Sequence, residues 1–225
     1  MAFKLYGSPL SGCTQRVLLV LAEKGVEDFE LLPVNLMKGE HKMPNYTEKH
    51  PFGVIPLLEE GEFRLFESRA ISRYLAIKYK DKGTSLVPSA GDWAGWALFE
   101  QWAAVESSNF HYYCEQILTQ KMWNPYKGLP TVDAILDDAT KRFEEKLDTF
   151  DKVLGTQEYL GGKEFSLIDI FYMPAVALLF RAGAGSLIEL RPNWKAWWQR
   201  VSTRPSWEKV SASAAAAAAA MAGNK

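Results

Sequence analysis

Three clusters near the start of the chain carry residue types that could do chemistry. Ser11 ends the turn Tyr6-Gly7-Ser8-Pro9-Leu10-Ser11 and stands just before an amphipathic helix pattern. There its hydroxyl either caps the helix or points to a ligand, and the positive end of the helix dipole favours negative charge nearby. A thiol held at that point would ionise below the roughly 8.5 of a free cysteine, because a hydroxyl donor and a dipole both favour thiolate. No base lies beside Ser11 in sequence, so it does not read as a hydrolase nucleophile. The second cluster is Glu67-Ser68, where the strand-like Phe63-Arg64-Leu65-Phe66 runs into a helix pattern bearing Ile71, Tyr74, Leu75, Lys78 and Tyr79. Ser68 reads as its N-cap. The first-turn N–H groups suit a carboxylate, and Glu67 beside them suits an ammonium. Both charges on one carbon describe the head of a free amino acid or of a γ-glutamyl unit, whereas Glu67 would repel a phosphate. The third cluster is His41-Lys42. Taken alone, Glu-Ser reads as a capped helix with an exposed acid, and His41-Lys42 as a solvated helix end.

The elements that must position these groups follow from periodicity. Phe3–Tyr6 reads as a strand, Thr14–Lys24 as a helix closed by a left-handed Gly25, and Phe29–Val34 as a second strand. A loop over 35–40, a short helix over 43–49 and a hairpin, Pro56–Glu59 and Phe63–Phe66 around Glu60-Gly61-Glu62, precede the Glu67-Ser68 helix. The order β-α-β-α-β-β-α predicts an α/β sandwich with a helical layer on each face of a small sheet. Residues 1–82 form this domain, 83–91 read as a linker rich in Gly, Ser and Pro, and 92–225 read as helical. Within the helical part, Ser166-Leu167-Ile168-Asp169 is a capping box with Asp in place of Glu, opening a helix apolar on most sides. Trp194, Trp197, Trp198 and Trp207 alternate with basic residues at helical spacing and read as packing rather than stacking platforms. The Ala-rich 211–225 has little to bury and is expected to fray.

Composition excludes several classes. A formal net charge of −1 argues against a nucleic-acid or anionic-membrane partner recognised by bulk charge. Neither a basic-then-apolar leader nor a run of about eighteen apolar residues is visible, so a soluble, cytoplasmic protein is expected. Cys13 and Cys114 are too few for a disulfide framework and lack zinc-site spacing, so no metal is expected.

Together the segments Tyr6-Gly7-Ser8-Pro9-Leu10-Ser11, Arg16-Val17, Gly39-Glu40-His41-Lys42, Pro51-Phe52-Gly53, Ile55-Pro56 and Phe66-Glu67-Ser68-Arg69-Ala70-Ile71 resemble, in content and order, the phi-class glutathione transferases of plants and fungi. The resemblance implies a thioredoxin-like N-terminal domain followed by an all-α helical bundle. It implies a homodimer, with Phe52 and Arg69 as contacts, and glutathione as co-substrate. Ser11 would donate to the glutathione sulfur. His41 and Lys42 would meet the glycyl carboxylate, Ile55 would pair with the cysteinyl part beside a cis Pro56, and Glu67 with Ser68 would grip the γ-glutamyl end. The electrophile would lie between the domains, over Leu10, Gly12 and Leu36, against Phe110, Tyr113 and Trp123. Val54 departs from the pattern, which places Gln there. One or two hydrogen bonds to the peptide are thereby lost, at about 0.5–1.5 kcal/mol each.

Three rival readings share the site. A ligandin-like carrier would hold apolar molecules without turnover, and a peroxidase would use the same thiolate. A thiol transferase would use Cys13, but relatives that use cysteine place it where Ser11 stands, five residues before the arginine. The two-residue offset turns Cys13 about 200° around the helix.

Overall fold

A computed structural model describes residues 3–223, with side chains described through 220. Met1, Ala2, Asn224 and Lys225 lie outside the described residues, as do the side chains of the last part of the expected frayed tail. The chain divides into two units, residues 1–86 with 204–225, and residues 87–203.

The first unit carries β1 (Phe3–Gly7), α1 (Gly12–Glu23), β2 (Phe29–Pro33), a 3-10 turn (Glu40–Lys42), α2 (Pro44–Thr47), β3 (Leu57–Glu60), β4 (Phe63–Phe66) and α3 (Ser68–Lys78). The sheet runs β2-β1-β3-β4, with β1 parallel to β2 and antiparallel to β3, and β3 antiparallel to β4. Phe3, Leu5 and Gly7 are buried and alternate with exposed Lys4 and half-buried Tyr6 along β1, the period-2 signature of a strand more deeply covered on one face than the other. On one face Tyr6 joins Val34, Tyr46, Ile55, Leu57 and Phe66 beneath α2. The layer of α1 against α3 buries Val17, Leu21, Ile71 and Leu75. Gly25 takes φ +61 after α1, a conformation that a residue without Cβ adopts cheaply.

Of the expected linker 83–91, residues 83–86 group with the first unit. The Thr84 N–H donates to the Glu23 carbonyl at 3.0 Å, Lys24 Nζ donates to the Thr84 carbonyl at 2.7 Å, and Leu86 is buried. The C-terminal segment is helical throughout its described length and belongs with the first unit. Its helix packs on α1, with Trp207, Val210 and Ala214 buried at i, i+3 and i+7; between 211 and 220 Ala214 alone is buried.

The second unit holds α4 (Trp93–Val105), a π turn (Glu106–His111), α5 (Tyr112–Leu118), a second π turn (Thr119–Trp123), α6 (Asn124–Tyr126), α7 (Asp133–Leu154), α8 (Leu167–Arg181), α9 (Ser186–Glu189) and α10 (Pro192–Ser202). The returning α11 (Pro205–Gly223) then completes the first. The expected capping box is present on α8. Asp169, fully buried, accepts from Leu160 N (2.9 Å), Ser166 N (3.0 Å) and Trp197 Nε1 (2.8 Å). Burial pushes its carboxyl up from the ordinary range, against those N–H donors. Trp194 and Trp197 are fully buried core residues, as their spacing predicted. Among the described residues no helix is long and apolar enough to cross a membrane.

Candidate functional site

Topology brings the sequence clusters to one edge of the sheet. β1 ends at Gly7 and leads into α1; β4, parallel to β1 through two antiparallel steps, ends at Phe66 and leads into α3. β2 ends at the same edge before the Glu40–Lys42 turn, and β3 starts there after Val54, Ile55 and Pro56. Two helix N-termini and two loops therefore share that edge, where dipoles and unpaired N–H groups favour anions.

Ser11 is half-buried at the N-cap of α1, with φ −81° and ψ 123°. Its Oγ accepts from Thr14 N at a long 3.4 Å. Capping uses a lone pair, so the hydroxyl proton stays available for donation, and among the described residues it has no acceptor. The loop before it is held by Ser8 Oγ accepting from Leu10 N and by Gln15 Nε2 donating to the Pro9 carbonyl at 2.7 Å. Gly7 is required there because a Cβ would lie 2.7 Å from Thr14 Oγ1. Tyr6, on β1, is no rival donor: its hydroxyl donates to Glu59 Oε1 (3.1 Å) and accepts from Lys49 Nζ (2.9 Å).

At the other helix start the structure corrects one reading. Glu67, not Ser68, is the N-cap residue; Ser68 is the first residue of α3, and its hydroxyl turns inward, 5% exposed, to accept from Arg16 Nη1 at 2.8 Å. Glu67 sits at φ +68°, ψ 110°, a conformation costing a non-glycine residue about 1–3 kcal/mol. Its carboxylate is exposed and has no hydrogen bond or ion pair among the described residues. Strain that persists in an over-determined setting is a mark of functional segments. Arg16, 1% exposed, binds the two helix starts together from beneath, touching Cys13 Sγ at 3.6 Å as well as Ser68. Sequence reading noted Arg16 but missed this bridge; the available signal was an arginine in step with Val20 on the buried side of α1.

His41 and Lys42 lie in the 3-10 turn, entered through Gly39 at φ +69°. Lys42 is exposed and donates to the Phe52 carbonyl at 3.1 Å. His41 is held below its usual pKa, first by burial and then by the Lys42 charge. Gly53, at φ +56°, lets the next segment approach, since a Cβ there would come 2.6 Å from the His41 carbonyl. Val54 is exposed, and its carbonyl accepts from Tyr46 Oη at 2.7 Å. Ile55-Pro56 is cis, as expected, and the Ile55 amide and carbonyl have no partner among the described residues. Of the residues expected to meet an electrophile, Leu10 and Gly12 are half-buried beside Ser11, and Leu36 is exposed. On the helical unit, Tyr113 and Trp123 are half-buried. Phe110 cannot line a wall: it is fully buried, its ring within 4.6 Å of Tyr172, 5.2 Å of Phe143 and 5.6 Å of Trp194.

Comparison with known proteins bears on the family and the fold. The family model described as "Glutathione S-transferase, N-terminal domain" matches residues 1–77, and that described as "Glutathione S-transferase, C-terminal domain" matches 115–205. Similar proteins include glutathione S-transferase F11 of Arabidopsis thaliana, 37% identical over 93% of this chain and 97% of its own length. Glutathione S-transferase 3 of Zea mays is 39% identical over 92% of each. Among solved structures, glutathione transferase F7 from Populus trichocarpa has a TM-score of 0.89 and 39% identity, covering 95% of this chain and 99% of its own. A maize glutathione S-transferase I in complex with an atrazine glutathione conjugate has a TM-score of 0.85 and 31% identity, covering 95% and 98%. With these family models, relatives and solved structures in agreement, the chain belongs to the phi class of the glutathione S-transferase family.

Proposed function

We propose that this chain conjugates reduced glutathione to apolar electrophiles, with Ser11 stabilising the thiolate. Glutathione enters along the sheet edge. Glu67 takes its α-ammonium; the first-turn N–H groups of α3, beginning at Ser68, take the adjacent carboxylate. The unpartnered Ile55 backbone pairs with the cysteinyl residue in the manner of an added strand. Lys42 and His41 meet the glycyl carboxylate. The sulfur then lies at the start of α1, where the free Ser11 O–H donates to it and the helix dipole lowers the energy of its anion. The thiolate attacks an electrophilic carbon; a C–S bond forms and, for an aryl halide, halide leaves with the bonding pair. Leu10, Gly12 and Leu36 supply apolar surface for the electrophile near the sulfur.

The observation that carries this reading is the pair of uncommitted groups, the Ser11 proton and the Glu67 carboxylate, on helix starts tied by Arg16 to Ser68. Glutathione-dependent conjugation of a generic aryl halide tests it. Failure of conjugation with retained binding of a hydrophobic dye would favour a carrier instead, a role that exposed Val54 permits by weakening the grip on the peptide. A cytoplasmic homodimer completes the proposal, and Phe52, 67% exposed, offers an apolar anchor for a second copy.

A further inference from the structure

His50 is fully buried, and among the described residues neither ring nitrogen has a hydrogen-bond partner. Its ring stacks on Phe66 at 4.5 Å and 19° and on Tyr46 at 6.1 Å, and meets the edge of Phe52 at 6.3 Å. Phe66 immediately precedes the strained Glu67, and the His50 carbonyl accepts from Gly53 N at 2.9 Å. The imidazole thus wedges between the strand end that aims Glu67 and the turn that leads to Ile55. A polar ring enclosed this way would be better satisfied by Leu or Phe unless its basic nitrogen has a use.

We propose that His50 sets how firmly Glu67 can hold the ligand's ammonium: the neutral imidazole leaves that carboxylate to the ligand, and the protonated ring, boxed by aromatic faces beside it, competes for it. This rests on the reading of Glu67 as the ammonium site. The charges that act on His50 are those of Glu67, next in sequence to the Phe66 that stacks on the ring, and of Lys42 from the 3-10 turn; neighbouring Lys49 is engaged by Tyr6 and Glu59. Burial lowers the His50 pKa, Glu67 draws it up and Lys42 pushes it down, with a net position below the ordinary 6.5. At neutral pH the ring is therefore uncharged and the site open. A bound ammonium neutralises Glu67 and removes the one influence favouring imidazolium, so ligand and proton exclude each other by the same factor in both directions. As pH falls through the His50 pKa of the free protein, affinity falls with it.

Calorimetric titration of glutathione between about pH 7.5 and about pH 4.5 tests this. In the unaltered protein Kd is expected to weaken about fivefold or more toward acid. The acid limb should flatten in His50→Phe and in His50→Asn. Deaminoglutathione, which lacks the ammonium, should show less than about a twofold change. Proton NMR of the unaltered protein, which has three histidines, should show the His50 ring titrating at lower pH with glutathione bound and unmoved by the deamino compound. An acid limb that survives both His50 substitutions, that disappears in His41→Gln instead, or that is equally steep for the deamino compound overturns the proposal. So does a His50 titration indifferent to glutathione. Binding without an acid limb sinks this inference alone; no binding at any pH sinks the functional reading and takes this one with it.

Discussion

At the scale of single residues, the Ser11 hydroxyl has a lone pair on the helix and a proton to give. Ser11→Ala should leave the fold intact, because the 3.4 Å cap is weak, yet remove a charge-assisted bond worth about 1.5–3 kcal/mol. We expect kcat/KM for aryl halide conjugation to fall about tenfold to about a hundredfold. The pH at which the bound thiol ionises, read by ultraviolet thiolate absorbance, should rise; an unchanged profile would remove Ser11 from the chemistry. Val54→Gln restores an amide beside Ile55 and should tighten glutathione binding about threefold to tenfold per bond by calorimetry. Cys13 faces Arg16, and Cys13→Ser should leave conjugation nearly unchanged; its collapse would promote a thiol-transferase mechanism. Residue types were legible in the sequence at this scale, but backbone states were not. Nothing in Phe66-Glu67-Ser68 announces φ +68° at Glu67, so the cap was assigned one residue late. Phe110 shows the converse limit: an aromatic at helical spacing fits a pocket wall and a core equally until its neighbours are known.

Between elements, the most concentrated chemistry outside the site surrounds Glu23, whose side chain is 4% exposed near the end of α1. Arg204 clasps it with two 2.7 Å bonds from Nε and Nη2, and the Thr84 hydroxyl (2.6 Å) and the Ser206 hydroxyl (2.5 Å) donate to it as well. Burial pushes the Glu23 pKa up, but the bonds from Arg204, Ser206 and Thr84 outweigh it and hold it below the ordinary value. A depressed folded-state pKa means that the clasp contributes fully above the unfolded value, near 4.3, and is lost as pH falls through the folded one. Docking of α11 should therefore weaken below about pH 4, seen as faster amide exchange in that helix. Glu23→Gln should remove much of this acid dependence. Arg204→Met, leaving a buried carboxylate without its cation, should destabilise by about 2–4 kcal/mol, less than for a fully buried pair because Arg204 is a quarter exposed. The order of elements along the first unit could be read from composition and periodicity, with β1 alternating and α1 carrying an apolar run. The partnership of Glu23 with Arg204 could not, because 181 residues of sequence separate them and no local pattern relates the two.

For the molecule as a whole, Asp169 tests how far one buried acid holds the helical unit. Asp169→Ala would strand the N–H groups of Leu160, Ser166 and Trp197, and should lower unfolding stability by about 3 kcal/mol or more. Asp169→Asn, keeping a carbonyl acceptor, should lose less, as a shift in denaturant midpoint would show. A homodimer anchored by Phe52 would dissociate in Phe52→Glu, read by sedimentation at micromolar concentration.

The return of α11 to the sheet-bearing unit also carries a consequence for biogenesis. The polypeptide leaves the ribosome in an order that separates two pieces of one body by the entire other one, so residues 3–86 must wait, with the flank of α1 bare, until 205–223 emerge. A stalled or clipped product ending near 203 should expose the apolar flank of α1 that α11 covers and be a preferred client of chaperones, whereas the helical unit, continuous in sequence, should already resist protease.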